Sequence, residues 1–376
     1  MSWRLPLADI RLSEPVIEAA KEALRSNWLT MGPRTQVLED EFAAAVGSPH
    51  AVAASSGSAG LHLACLAAGV EEGDEVIVPA LGFVADAHAP HWCGGRAVFA
   101  DISSERLPLL DAAAVEPLIG PRTKAVLAIH MFGYPLELDA LRTLCAERGI
   151  TLIEDCCEAV GARFADGSSV GTAGQAGVFS FFAKTQLPVG EGGIVVSADE
   201  EAAARVRLLR SHAMTSVTWD RHRGHAETYD ITDLGFNYRL DEPRAAMASA
   251  HLRELDGRLK KLRGTVAAYR ERLAAVDGIT VPFNDELAAR AGHFAFPVVL
   301  ADAEARDRVR ATLAERGVQT TFYPAITTLG LYERTGREHP CPRAEDFAAR
   351  HLALPLSTAM GPDDVALACD ELAAAT

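Results

Sequence analysis

Between about Gly73 and Ala198 the chain alternates short β-branched runs with segments of helical spacing, which restricts it to folds with a largely parallel sheet covered by helices. The predicted strands are Glu75 to Pro79, Ala97 to Asp101, Ala125 to His130, Thr151 to Asp155, Gly177 to Phe182 and Gly193 to Ser197. Ligands of open α/β sheets sit beyond the carboxyl ends of the strands, so His130, Asp155 and the residues after Phe182 are expected to face one crevice. A helix is predicted from about Ser58, where Leu61, Ala64, Cys65 and Ala68 share a face, and another over Glu201 to Arg210. Past Ala245 the pattern is helical for a long stretch, with Leu252, Leu255, Leu259 and Leu262 spaced for burial. Strands near Phe294 to Leu300 and Gln319 to Tyr323, with helices at Asp302 to Arg316 and Pro362 to Leu372, complete a smaller C-terminal unit. The expected division is a large α/β domain over residues 1–250 and a small α+β domain over 251–376.

Composition removes several function classes. With 376 residues, 49% of them hydrophobic, the chain has ample material for buried cores. No run approaches the roughly 20 apolar residues of a membrane span, and Met1-Ser2-Trp3-Arg4-Leu5-Pro6 lacks an apolar signal core. A cytoplasmic protein with no membrane partner is expected. The formal charge of −15, with nothing more basic than Arg221-His222-Arg223, argues against nucleic acid, whose phosphates call for clustered Lys and Arg. The seven cysteines form no CxxC pair and are odd in number, so reduced thiols are expected and no metal centre.

Three segments are candidates for chemistry. In Ser55-Ser56-Gly57-Ser58-Ala59-Gly60-Leu61, small residues precede a predicted helix. This is either a plain cap or a place where backbone N–H groups and the helix dipole meet a phosphate. Asp155 closes an apolar strand and serves either as a turn-former or as a ligand for a cofactor nitrogen. Phe83, after the strand ending at Pro79, is either a core aromatic or a stacking surface.

Ordered matches along nearly the whole chain carry a resemblance. They comprise Ser26 to Pro33, Gly73 to Pro79, Glu154-Asp155-Cys156-Cys157-Glu158-Ala159, Ser180 to Leu187 with Gly190-Glu191-Gly192-Gly193, Gly235-Phe236-Asn237-Tyr238-Arg239-Leu240 and Leu354-Pro355-Leu356. Together they resemble the DegT/DnrJ/StrS aminotransferases, pyridoxal-phosphate enzymes of fold type I that mostly aminate keto sugars and cyclitols. The resemblance implies a largely parallel sheet of the seven-stranded type. It implies that the amides of Ser58 and Ala59, with Ser180 and Asn237, hold the phosphate of pyridoxal or pyridoxamine phosphate, Asn237 reaching across a homodimer. By the same resemblance Asp155 binds the pyridine nitrogen and Phe83 stacks on the ring. Glu158 stands near the ring substituents, where Gln or His is usual, and Gly82 and Asp86 stand where hydroxyl residues are common. His212, Arg239 and Tyr323 are candidates for substrate contact. The family often has a histidine soon after its C-terminal Tyr-Pro, which Tyr323-Pro324-Ala325-Ile326-Thr327-Thr328 lacks. The His- and Arg-rich segment from His212 to His225 reads as a substrate-facing loop or a dimer contact.

The family's imine-forming lysine lies five residues after the serine and five before the first glycine. That position holds Thr185, and Lys184 falls one residue early. In an extended backbone this shift aims Lys184 away from the cofactor, leaving it a solvated surface residue. Three functions follow. The first is a transaminase using Lys184 with glutamate or glutamine as amino donor. The second is an enzyme without an imine lysine that binds free pyridoxamine phosphate, or another phosphorylated ligand, for dehydration, isomerisation or condensation. The third is a non-catalytic partner of an active paralogue. Transamination stands first on the family's habit, although the register argues against it.

Overall fold

The computed structural model describes residues 3–216, 218–224 and 227–376. Its main sheet contains β1 (His50–Ala54), β2 (Glu75–Pro79), β3 (Arg96–Ala100), β4 (Thr123–Ile129), β5 (Thr151–Asp155), β6 (Ala176–Ser180) and β7 (Gly193–Ser197), in the order β1-β7-β6-β5-β4-β2-β3. The pairs from β3 through β6 are parallel, while β7 runs antiparallel to both β6 and β1. All residues of β2, β6 and β7 are buried, as befits strands covered by helices on both faces. The fold is therefore the mixed α/β architecture expected from the sequence.

Three departures have physical causes. β1 was not among the predicted strands because His50-Ala51-Val52-Ala53-Ala54 has one β-branched residue; five register pairs with β7 make it a strand. Gln319 to Tyr323 is not a strand: among the described residues it makes one isolated bridge, Thr321 with Ala353. The second sheet instead pairs β8 (Phe296–Val299) with β9 (His351–Leu354), whose His-Leu-Ala-Leu also lacks β-branching. The long helical stretch is two helices, Glu242–Arg253 and Leu255–Leu273, separated at Glu254.

Two buried charges brace the part of the fold that carries the crevice. Helices α1 (Glu14–Arg25) and α2 (Pro33–Val46) pack on Glu242–Arg253. The fully buried Glu242 carboxylate accepts from the Gly32, Arg34 and Thr35 amides at 2.9 Å each, capping the positive end of α2. Arg210 forms a buried pair with Glu39 and donates to Ala53 O at 2.7 Å. The Arg210 carbonyl accepts from Tyr238 N–H at 2.9 Å, and Tyr238 O accepts from Ser55 N–H at 2.7 Å, so this pair reaches the loop after β1.

His130 does not face the crevice. Its Nδ1 accepts from Leu136 N–H at 2.9 Å, so Nε2–H donates to Glu154 Oε2 at 3.1 Å. Glu154 also accepts from the Gly171, Ala173 and Gly174 amides at 2.7 Å each, which makes His130 and Glu154 a satisfied core cluster. Among the described residues no helix is long and apolar enough to cross a membrane.

Candidate active site

The crevice begins where β1 gives way to helix α3 (Gly57–Ala67). Ser56 caps this helix by accepting the Ala59 amide on its hydroxyl at 3.0 Å. Of the two amides expected to meet a phosphate, Ala59 is therefore already engaged. Ser58 and Gly57 donate to no group among the described residues, as first-turn amides have no acceptor within their own helix. Glycine is required at position 57, since a Cβ there would lie 2.7 Å from Cys157 Sγ and 3.1 Å from Ser180 Cβ. Ser180, closing β6, accepts the Phe182 amide at 3.1 Å and keeps its hydroxyl proton free to donate. The helix start, Ser180 and Cys157 thus pack close together.

Three carboxyls gather beside it. Asp155, at the end of β5, is buried and accepts Cys157 N–H at 2.8 Å. Asp86, in the first turn of helix α4 (Val84–Trp92), is fully buried and accepts Phe83 N–H at 3.1 Å. Phe83 caps α4 with its ring 64% exposed, so it is a free aromatic face and not a core residue. Glu158 accepts Phe132 N–H at 2.6 Å. Burial pushes Glu158 up to about 8, with the Phe132 amide and Lys184 opposing and Asp155 adding to the shift.

Glu158 keeps its proton in the folded chain between its usual 4.5 and about 8, while the unfolded chain releases it, so stability falls as pH rises through that window. Glu158→Gln is expected to flatten the pH dependence of urea denaturation there. An unchanged slope in the variant would show that Glu158 ionises normally.

Lys184 differs from its expected place because Phe182 to Thr185 is a turn. Thr185 donates to the Phe182 carbonyl from both N–H, at 2.9 Å, and Oγ1, at 2.8 Å. This reversal removes the strand alternation that would have sent Lys184 outward. Lys184 is instead half-buried, its Nζ donating to Tyr323 Oη at 3.0 Å and lying 4.6 Å from the Phe294 ring centroid. Burial holds its ammonium below the usual range, partly offset by the nearby Glu158. Thr185 is buried with its hydroxyl spent on the backbone. Gln186, which sequence reasoning passed over, ties this turn down by donating to the Glu158 and Gly292 carbonyls at 2.8 and 3.0 Å.

The remaining candidates form a second group. Asn237 bridges Ser211 in an antiparallel pair and is exposed, His212 is exposed on the same ladder, and Arg239 donates to Ser211 Oγ at 3.3 Å. Gly235 permits this ladder, since a Cβ there would meet Ala213 N at 2.2 Å. Among the described residues no hydrogen bond joins these three side chains to Lys184 or the carboxyls. Farther along, Trp28 lies 4.8 Å from Trp219 and 4.6 Å from His222 by ring centroids, so this part of the loop packs on an aromatic cluster. His225 lies outside the described residues.

Along its full length the chain is similar to the aminotransferase TlmJ from Streptoalloteichus hindustanus, at 34% identity, 99% of that chain and a TM-score of 0.90. S. venezuelae DesV, solved in complex with a ketimine intermediate, is 32% identical over 99% of this chain and 98% of its own, with a TM-score of 0.89. DesI, solved in the presence of its TDP-sugar product, is 34% identical over 99% of this chain and 92% of its own, with a TM-score of 0.87. Residues 11–373 match a single family profile. The chain belongs to the DegT/DnrJ/EryC1/StrS aminotransferase family, whose members depend on pyridoxal phosphate.

Proposed function

We propose that this protein is a pyridoxal-phosphate-dependent aminotransferase that places an amino group on a keto sugar or cyclitol, with Lys184 as its working amine. The observation that carries the reading is the turn at Phe182 to Thr185, which brings Lys184 Nζ to Tyr323 and within electrostatic reach of Glu158. When bound, the cofactor supplies an aldehyde and an electron-withdrawing ring that acidifies the carbon bearing the amine.

The chain's residues fit that group. The Gly57 and Ser58 amides and the Ser180 hydroxyl offer donors to its phosphate, and Gly57 lets the helix start pack closely on Ser180. Asn237, exposed on its own subunit, contributes to the phosphate site of a partner in a homodimer. Asp155 would hold the pyridine nitrogen, the exposed ring of Phe83 would offer a stacking face, and Glu158 would stand near the ring substituents. A lowered Lys184 presents more neutral amine, the nucleophilic form, and Tyr323 aims its Nζ. The same Nζ takes and returns the proton that moves during transfer. His212 and Arg239 border the substrate side. Residues 251–376, taken as the small domain, supply Phe294 and Tyr323 to the wall around Lys184.

The known likeness to DesI favours a nucleotide-linked sugar. Purified protein with pyridoxal phosphate, glutamate or glutamine, and a TDP-linked keto sugar is expected to yield an amino sugar detectable by mass spectrometry. Loss of all cofactor on dialysis, with no product from sugar or cyclitol ketones, would overturn the reading.

A further inference from the structure

We propose that Asp86 is a positioning residue that holds a proton and donates it in a hydrogen bond to Asp155, so that the two carboxyls act as one singly charged unit. The proposal deepens the functional reading above, because its consequence depends on Asp155 facing the cofactor's pyridine nitrogen.

The geometry leaves little alternative. Asp86 is fully buried, and its Oδ2 is taken by the Phe83 amide at 3.1 Å. Its Oδ1 is also buried and, with the carboxyl ionised, has no partner among the described residues, although the side chain lies against that of Asp155. Two ionised carboxylates are both acceptors and cannot satisfy one another. A proton on Asp86 turns the contact into a hydrogen bond and gives both oxygens partners. If Asp86 were only a helix cap, Oδ2 alone would suffice and Oδ1 would be expected in water.

Among the described residues no positive charge acts on Asp86 to hold a second anion. Asp155 and Glu158 face Asp86 from the end of β5, Cys157 from the same loop and Cys65 from α3. Lys184 donates to Tyr323 Oη. Burial first, and the Asp155 charge second, push Asp86 well above the usual carboxylate range. The consequence for chemistry has a definite direction. A hydrogen bond from Asp86 withdraws charge from Asp155 and makes it a weaker base. A proton between Asp155 and a ring nitrogen then rests more on the ring, which is the form that withdraws electrons.

Infrared difference spectroscopy on the cofactor-free protein near neutral pH tests the proton directly. Wild-type protein is expected to show the carbonyl band of a protonated carboxylic acid that Asp86→Asn lacks; a difference containing only carboxylate bands would overturn the proposal. If Asp86→Asn does not fold, 13C-aspartate labelling of the wild-type chain, which moves the same band, decides the question. In titrations of apoprotein with pyridoxal phosphate, Asp86→Ala is expected to weaken binding about tenfold, because Asp155 loses the partner that holds its carboxyl in place. Asp86→Asn, whose amide still donates to Asp155, should recover most of it. Equal losses in both variants would reduce Asp86 to a structural cap. Failure of the wild-type protein to bind pyridoxal phosphate would instead sink the functional reading, leaving the infrared answer intact.

Discussion

Lys184→Ala is expected to lower transamination at least about a thousandfold, the range lost with a positioned proton-transfer group. It should also remove the covalent adduct that borohydride fixes between cofactor and wild-type protein. Mass spectrometry of the digested, reduced protein should place that adduct on Lys184. Two features support the size of the effect. Thr185 has no free hydroxyl to offer, since its Oγ1 donates to Phe182 O at 2.8 Å. Lys184 is also the sole lysine between Ser180 and Gly193. The paired substitution Lys184→Thr with Thr185→Lys, which restores the family's usual register, separates placement from identity. It should work no better than wild type if the turn has already brought Lys184 into reach. A gain of orders of magnitude would mean that the native lysine is poorly aimed, and an adduct absent from wild type would return the chain to the lysine-independent alternatives.

Arg210→Met is expected to destabilise the fold by roughly 3–5 kcal/mol, because it strands the buried Glu39 carboxylate without its cation. Glu39 retains only the Ala53 amide, at 2.9 Å. Chemical denaturation should show the loss as a lower midpoint with an unchanged slope. Adding Glu39→Met should recover much of it, since a well-packed apolar pair often replaces a buried ion pair without penalty. Affinity for pyridoxal phosphate should drop as well, because the loop from Ser55 is tied through Tyr238 to the Arg210 carbonyl. A midpoint shift below about 1 kcal/mol would place Arg210 with surface ion pairs.

The sequence disclosed most where local pattern and burial agree. β4, β5 and the helix Pro362–Ala373 were legible because continuous apolar runs and helical spacing survive in the chain itself. β1 and β9 were not, since their alanine-rich or unbranched residues become strands through partners far along the chain. The candidate site divides in the same way. Asp155, Glu158 and Ser180 could be placed from strand ends and motif spacing. The direction of Lys184 could not, because a turn closed by Thr185 is set by two hydrogen bonds to one carbonyl and leaves no periodic trace. Asp86 stood out in the sequence only as an acid where the family commonly has a hydroxyl residue, and its buried, unmatched oxygen marks it as something more.

The placement of β1 at the sheet edge, paired solely with β7, bears on how the chain is made. A ribosome delivers His50–Ala54 long before Gly193–Ser197, at roughly 5–20 residues per second. For many seconds the nascent segment has no strand to receive it, and α2 likewise waits for the Glu242 carboxylate that caps it. The N-terminal sixth of the polypeptide is thus among the first parts translated yet must wait for residues 193–253 before it can dock, which leaves it in need of chaperone shelter during synthesis.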